Sequence, residues 1–188
     1  MKEDRKSKET LISDAYKGKG TRHVIDIRLV KEKLWINYIL QSLLATVTIF
    51  IVLLFLKLAT PVIVAALGAT AFVVFAMPKN ITAQPRNVIG GHMVGVISGG
   101  LCALIFIFFG DNSDFLHLIA ASVSVGAAIF IMVVTDTEHP PGCSTALGLV
   151  VHAKIVSQVI YYSIFIMISA TIITMVKHVL DPQLKDLV

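Results

Sequence analysis

Apolar runs of membrane length alternate with short polar breaks from residue 37 to residue 176. The pattern predicts spans at 37–56, 88–109, 115–134 and 155–176, each long enough to cross a bilayer at about 1.5 Å per residue. Two further apolar stretches are shorter, and each starts at a proline. Residues 61–77 sit at the lower limit for crossing, and residues 141–151 are too short to cross alone. Proline suits the first turn of a helix, so both read as new helices after a break. The breaks include a polar loop at 78–87 and an acidic turn, Gly110-Asp111-Asn112-Ser113-Asp114.

The order long, short, long occurs twice. Gly68-Ala69-Thr70-Ala71-Phe72 in the first short segment resembles Gly142-Cys143-Ser144-Thr145-Ala146-Leu147 at the same place in the second half. If each short segment counts as a crossing, each half crosses three times and the halves are inverted. That is an architecture in which interrupted helices meet at a binding site. The alternative is that two apolar segments rich in small residues look alike by composition. The expected fold class is all-α, a polytopic membrane helix bundle with two similar halves and short interrupted helices. Gly91, Gly95 and Gly99 recur every four residues, a stripe suited to close helix packing, and Ser122 and Gly126 make a second such pair.

Composition agrees with the pattern. Hydrophobic residues make up 56% of the chain and charged residues 15%, and the mean hydropathy is +0.83. Those values exclude an ordinary soluble domain. The basic charge is segregated, because ten of the 16 Lys and Arg residues lie in residues 1–36. The pI of about 9.1 therefore reflects the amino-terminal segment, and nucleic-acid binding need not be invoked. Three parts are expected: a basic cytoplasmic segment at 1–36, a transmembrane domain at 37–178 and a tail at 179–188. Residues 1–20 have a disordered composition. Residues 22–36 place Ile27, Val30, Leu34 and Trp35 on one face of an interfacial helix that meets anionic lipid headgroups. No cleavable signal peptide is visible, since the first apolar run follows a long charged segment. Lys79, Arg86 and Lys185 put the 78–87 loop, the 136–140 region and both termini on the cytoplasmic side of a plasma or inner membrane. The two cysteines, Cys102 and Cys143, form no disulfide framework or metal-type spacing.

Chemistry concentrates in Thr135-Asp136-Thr137-Glu138-His139-Pro140-Pro141-Gly142-Cys143-Ser144-Thr145. Two carboxylates, a histidine and paired prolines in membrane-type sequence must face protein or water. The helix starting at Pro140-Pro141 would present unpaired amides at Gly142, Cys143, Ser144 and Thr145, with the Ser144 and Thr145 hydroxyls as further donors to an anion. His139 can change charge near neutral pH and so can couple a proton to anion binding, or serve only as a residue bonded to a carbonyl where the helix begins. Arg86 is the one cation of Gln84-Pro85-Arg86-Asn87, either contacting an anion or anchoring the chain at the headgroups. Gln84 and Asn87 are candidate donors and equally candidate loop and cap residues. His92 is a candidate by its depth in the membrane, while its neighbours Gly90 and Gly91 argue for helix approach. Asp136 and Glu138 pair with Arg86 or Lys79, face water, or form a rival proton or cation pathway with His139. No metal-ligand or catalytic spacing recurs among His92, His139, His152, Asp136, Glu138 and Cys143, so neither an enzyme nor a cofactor is expected.

His139-Pro140-Pro141, with Gln84-Pro85-Arg86-Asn87-Val88-Ile89-Gly90-Gly91-His92 before it, resembles the HPP family of integral membrane proteins over about residues 35–178. Some members of that family are regarded as nitrite transporters. The resemblance implies transport of a small inorganic anion, nitrite first, bound between residues 140–145 and 84–92. A membrane sensor or scaffold without net transport is the remaining class. Bundles of this size often assemble as homo-oligomers, and nothing in the sequence fixes the number.

Overall fold

The computed structural model describes residues 27–56, 61–109, 113–181 and 184–187. The chain divides into two compact units, Met1–Trp35 and Ile36–Val188. Of the first, only helical residues 27–35 are described, so the readings of residues 1–26 and of the 27–34 side chains lie outside the described residues.

Among the described residues there are six α-helices: α1 (Ile27–Leu56), α2 (Pro61–Ala76), α3 (Pro85–Phe109), α4 (Asp114–Thr135), α5 (Pro141–His152) and α6 (Val156–Leu180), with a 3₁₀ turn at Ile81–Ala83. Among them there is no strand. Four stretches, Trp35–Leu54, Pro85–Phe109, Asp114–Thr135 and Val156–Leu180, are long and apolar enough to cross a membrane. The chain is a multi-pass membrane helix bundle. The order long, short, long is present in each half, and both short helices start at proline. With 16 and 12 residues, α2 and α5 are about 24 and 18 Å long.

One boundary differs from the sequence reading. The 78–87 loop ends early, because Pro85-Arg86-Asn87 forms the first turn of α3. Pro85 has no N–H to lose there and carries a preset φ.

The short helix α5 lies among the others and packs on α2, α3 and α4. The glycine stripe of α3 explains how. A methyl at Gly95 would run into the carbonyl oxygen of Gly142, and one at Gly99 into the backbone of Ala146. The two backbones are therefore in contact, which only small residues allow. By contrast, Gly126 has nothing within 4 Å and is exposed with Ser122 on α4, so that second pair packs on none of the described residues. One apolar cluster joins α2 and α6 through Ile63, Leu67, Phe75, Phe165, Ile166 and Ile173. Outward large apolar side chains such as Ile105, Phe108, Phe130 and Ile164 are what a lipid-facing surface requires.

The turn after α2 holds three helices together. The Asn80 side chain accepts from the Thr82 N–H and hydroxyl, each at 3.0 Å. The carbonyls of the turn point elsewhere: Thr82 accepts from His139 Nδ1 and Ala83 accepts from Lys177 Nζ of α6 at 3.1 Å. Lys177 is buried, with Asp181 3.9 Å away as its counter-ion. The carboxy-terminal tail returns over the same end, where the Leu187 N–H donates to the Ala76 carbonyl at 2.9 Å. That bond satisfies one of the orphan carbonyls that end α2.

Candidate functional site

The link between α4 and α5 builds the site. Asp136 ends α4 in the left-handed region, φ 55, with its N–H shared between the Met132 and Val133 carbonyls. Asp is among the few residues that take this conformation without glycine. The turn lays Thr137 to His139 along α3, where Gly90 and Gly91 leave room. A methyl on Gly91 would overlap His139 Cβ, and one on Gly90 would sit 2.8 Å from the Thr137 methyl. His139 therefore packs directly on α3 at Gly91, next to His92.

Both imidazoles are fully buried, as are Thr70 and Thr145. The rings meet edge to face with centroids 5.1 Å apart. Thr70 Oγ1 stands between them, 2.8 Å from His92 Nε2 and 3.2 Å from His139 Nε2. His92 Nδ1 is 2.8 Å from Thr145 Oγ1, and His139 Nδ1 is 2.8 Å from the Thr82 carbonyl oxygen. The two threonines come from the matching small-residue patches of the two short helices, and each holds one nitrogen of His92.

The protons follow from the partners. A carbonyl only accepts, so His139 Nδ1 carries a proton and donates to Thr82. A buried unpaired charge is costly, so the ring is neutral and Nε2 accepts from the Thr70 hydroxyl. Burial pushes the His139 imidazole down to about 4, against the opposing pull of the Thr82 carbonyl. Thr70 oxygen in turn accepts from His92 Nε2–H, and His92 Nδ1 accepts from the Thr145 hydroxyl. Each of the four bonds then holds one proton. A proton taken up by the Thr145 hydroxyl can pass along the chain: Thr145 gives its own proton to His92 Nδ1, His92 gives its Nε2–H to Thr70, and Thr70 gives its own to His139 Nε2, so that every bond is reversed and His139 ends as the imidazolium. The Thr145 hydroxyl is then left facing the Pro141 carbonyl at 3.5 Å. The two hydroxyls and the two imidazoles can each give and take a proton, and the Thr82 carbonyl, which only accepts, ends the chain.

The other sequence candidates surround this core. Arg86 is exposed on the outside of the link, where it donates to the Thr135 carbonyl at 3.0 Å and pairs with Asp136 at 3.2 Å. It therefore ties the start of α3 to the end of α4. Asn87 is buried, and its amide bridges the Ile81 carbonyl and the Glu138 N–H, 3.3 Å each, in the orientation that satisfies both ends. Gln84 is exposed and uses its backbone N–H to close the 3₁₀ turn on Ile81. Pro140 is exposed, Pro141 and Gly142 are buried, and Ser144 is half-buried.

Two of the four amides expected to be unpaired at the start of α5 are engaged. The Gly142 N–H donates to the His139 carbonyl at 2.8 Å and the Cys143 N–H to the Pro140 carbonyl at 3.0 Å. Tight i→i+3 bonds close the first turn because Pro140 is itself helical, φ −49 and ψ −37. Among the described residues no three His, Cys, Asp or Glu side chains converge as a metal would need. Thr70, the Thr82 carbonyl and Lys177 were not among the sequence candidates. The Leu67-Gly68-Ala69-Thr70-Ala71 patch pointed to Thr70 only as half of a repeat.

Arg86→Gln tests the outer tie. Both partners are about two-thirds exposed, so the pair contributes about 0.2–1 kcal/mol. Thermal unfolding of the variant should shift only slightly. A large shift would mean that this tie carries more of the link's stability than an exposed pair supplies.

Comparison with known proteins agrees with the architecture. Residues 30–183 match the transmembrane region of the HPP family. The chain is similar to two transmembrane proteins of Dictyostelium discoideum. One is 33% identical over 86 residues, 46% of this chain and 29% of that protein. The other is 32% identical over 108 residues, 57% of this chain and 33% of that protein. The chain thus spans about a third of the length of these curated relatives. No solved structure matches.

Proposed function

Because the chain belongs to the HPP family through its transmembrane region, residues 30–183, we propose that it transports a small inorganic anion across the bilayer in company with a proton. The observation that carries this reading is the buried chain Thr82–His139–Thr70–His92–Thr145. It joins both short helices to α3, and its stretch from Thr145 to His139 can move a proton by reversing its bonds.

The chemistry favours the conjugate base of a weak acid, with nitrite the leading candidate. Arg86 is exposed and already paired, and the α5 amides at Gly142 and Cys143 are bonded. Little fixed positive potential is left to compensate an anion at this depth. Once the chain has delivered a proton to His139, the imidazolium can hand it to nitrite, which becomes neutral nitrous acid while the ring returns to its neutral form. Chloride and nitrate, as bases of strong acids, take no such proton.

The same engaged amides favour a second reading, in which the chain conducts protons and no anion. For orientation, Lys79, Arg86 and Lys185 support a cytoplasmic side that carries residues 1–36, the 78–87 loop and the 136–140 link. His139 then receives its proton from that side or releases it there.

Flux into liposomes holding the purified protein tests this. Nitrite and formate should enter saturably under an inward proton gradient, and chloride should not. Proton movement without anion would support the second reading. The absence of any flux would leave a sensor or scaffold.

A further inference from the structure

The turn between α2 and α3 is gripped by side chains from two sides, on neighbouring carbonyls. Within it, the Asn80 carbonyl accepts from the Ala83 N–H and the Ile81 carbonyl from the Gln84 N–H, each at 3.0 Å. The Gln84 carbonyl accepts from the Val88 N–H at 2.9 Å. The Thr82 carbonyl has no such partner, because the residue three places on is Pro85, which carries no N–H. Thr82 and Ala83 turn outward instead. His139 Nδ1 donates to Thr82 at 2.8 Å from the α4–α5 link, and Lys177 Nζ donates to Ala83 at 3.1 Å from α6.

Lys177 is not placed as a lysine in the last turn of a membrane helix ordinarily is. Such a side chain runs its ammonium out to water. Lys177 is 3% exposed, although Asp181, its counter-ion one turn on, has a side chain 60% exposed. Burying an ammonium is costly, and what the position gains is the bond to Ala83. Charge assistance makes that the stronger of the two grips on the turn.

The grip matters to His139 because a neutral imidazole has two forms. With the proton on Nδ1, Nε2 is the basic end that receives the proton handed on by Thr70. With the proton on Nε2, the ring would point a donor at Thr70, whose oxygen already takes His92 Nε2–H. The Thr70 hydroxyl would then turn to the Ala66 carbonyl at 3.0 Å, and the chain from Thr145 would have no basic end. The Thr82 carbonyl selects the first form, and it does so only while the turn holds it in place.

We propose that Lys177 is a positioning residue for the relay. By holding the Ala83 carbonyl it keeps the adjacent Thr82 carbonyl on His139 Nδ1, and so keeps Nε2 free to accept. The proposal rests on the relay reading of the site, and it gives a part in proton transfer to a residue that touches neither the proton chain nor the anion.

The test is NMR of the full chain in nanodiscs with the histidine ring nitrogens isotopically labelled, the His139 signal being the one that His139→Gln removes. In the wild type His139 should show a protonated Nδ1 and a bare Nε2. Lys177→Met has nearly the same length and no donor, and in it a large share of His139 should carry the proton on Nε2. The maximal rate of proton-driven nitrite uptake should fall about 10-fold, short of the loss that removing a proton donor brings, with the half-saturating concentration little changed. Lys177→Arg keeps a charged donor and should restore both readouts. Asp181→Asn removes the exposed counter-ion and leaves the donor, so its His139 signal should match the wild type. A lysine that only anchors α6 would lower the unfolding temperature of Lys177→Met and leave the His139 proton on Nδ1, which would overturn the proposal. So would a wild type whose His139 carries its proton on Nε2, a result that depends on no variant folding. If the wild type takes up no nitrite while Lys177→Met still moves the His139 proton, the transport reading fails and the positioning role stands.

Discussion

Gly95→Val should leave little assembled bundle. A Cβ at residue 95 would overlap the Gly142 carbonyl oxygen and stand 3.0 Å from Thr145 Cβ. The first obstacle is backbone, which no side-chain rotation can move. Valine adds two further methyls, so α3 and α5 must separate along their whole crossing. Overpacking of this kind costs about 3 kcal/mol or more when the neighbour cannot yield. The displacement would also draw Thr145 away from His92, so activity should fall with stability. Gly126→Val is the matched control, because nothing lies within 4 Å of a Cβ there. The measurement is the monodisperse fraction after detergent extraction, followed by thermal unfolding. Gly126→Val should match the wild type, and Gly95→Val should be mostly aggregated. A Gly95→Val protein with wild-type unfolding would mean that α3 and α5 are not in backbone contact.

Much of this arrangement is legible in the chain, for reasons that can be named. Long apolar runs are visible because a lipid-facing helix needs no polar side, so α3, α4 and α6 stand out directly. Prolines mark helix starts, which fixes α2 and α5. At Pro85 the same rule lost to the polar composition of Pro85-Arg86-Asn87, which looked like loop. The spacing of Gly91, Gly95 and Gly99 announces a close crossing, yet it cannot name the partner. That depends on how Asp136 turns the chain back, and a left-handed aspartate has no pattern of its own. His139 was singled out because an imidazole can change charge near neutral pH, and the bond to a carbonyl weighed beside that reading is present, to Thr82. Its partner Thr70 lies 69 residues away in a patch that looked purely architectural, since threonine in an apolar helix usually bonds its own backbone. Thr70 has that option too, 3.0 Å from the Ala66 carbonyl. The amides expected to be free at Gly142 and Cys143 are bonded for a local reason, because a helical Pro140 lets the first turn close on itself. Lys177 was not singled out in the sequence. It is buried because the 3₁₀ turn at 81–83 folds over it, which no local signal encodes.

Thr70→Val is the substitution that separates relay from scaffold. Valine has nearly the shape of threonine, so the packing of α2 against α3 and α5 is kept and only the hydroxyl is lost. His92 Nε2 and His139 Nε2 then face a methyl, and the two halves of the chain no longer exchange a proton. Loss of the partner costs about 1–3 kcal/mol of stability, which thermal unfolding will report without abolishing the fold. Proton-driven nitrite uptake should fall about 100-fold, in line with removal of a positioned proton donor. Thr70→Ser restores the hydroxyl and should recover most of the uptake, though it packs less well than valine. That inversion, in which the better-packed variant transports worse, is what a scaffolding role cannot produce. Thr145→Val should have the same effect from the other side of His92, with entry down a nitrite gradient at equal pH on both sides as the comparison. If Thr70→Val takes up nitrite as the wild type does, protons do not pass through this hydroxyl. The histidine pair is then a structural pin where the two short helices meet.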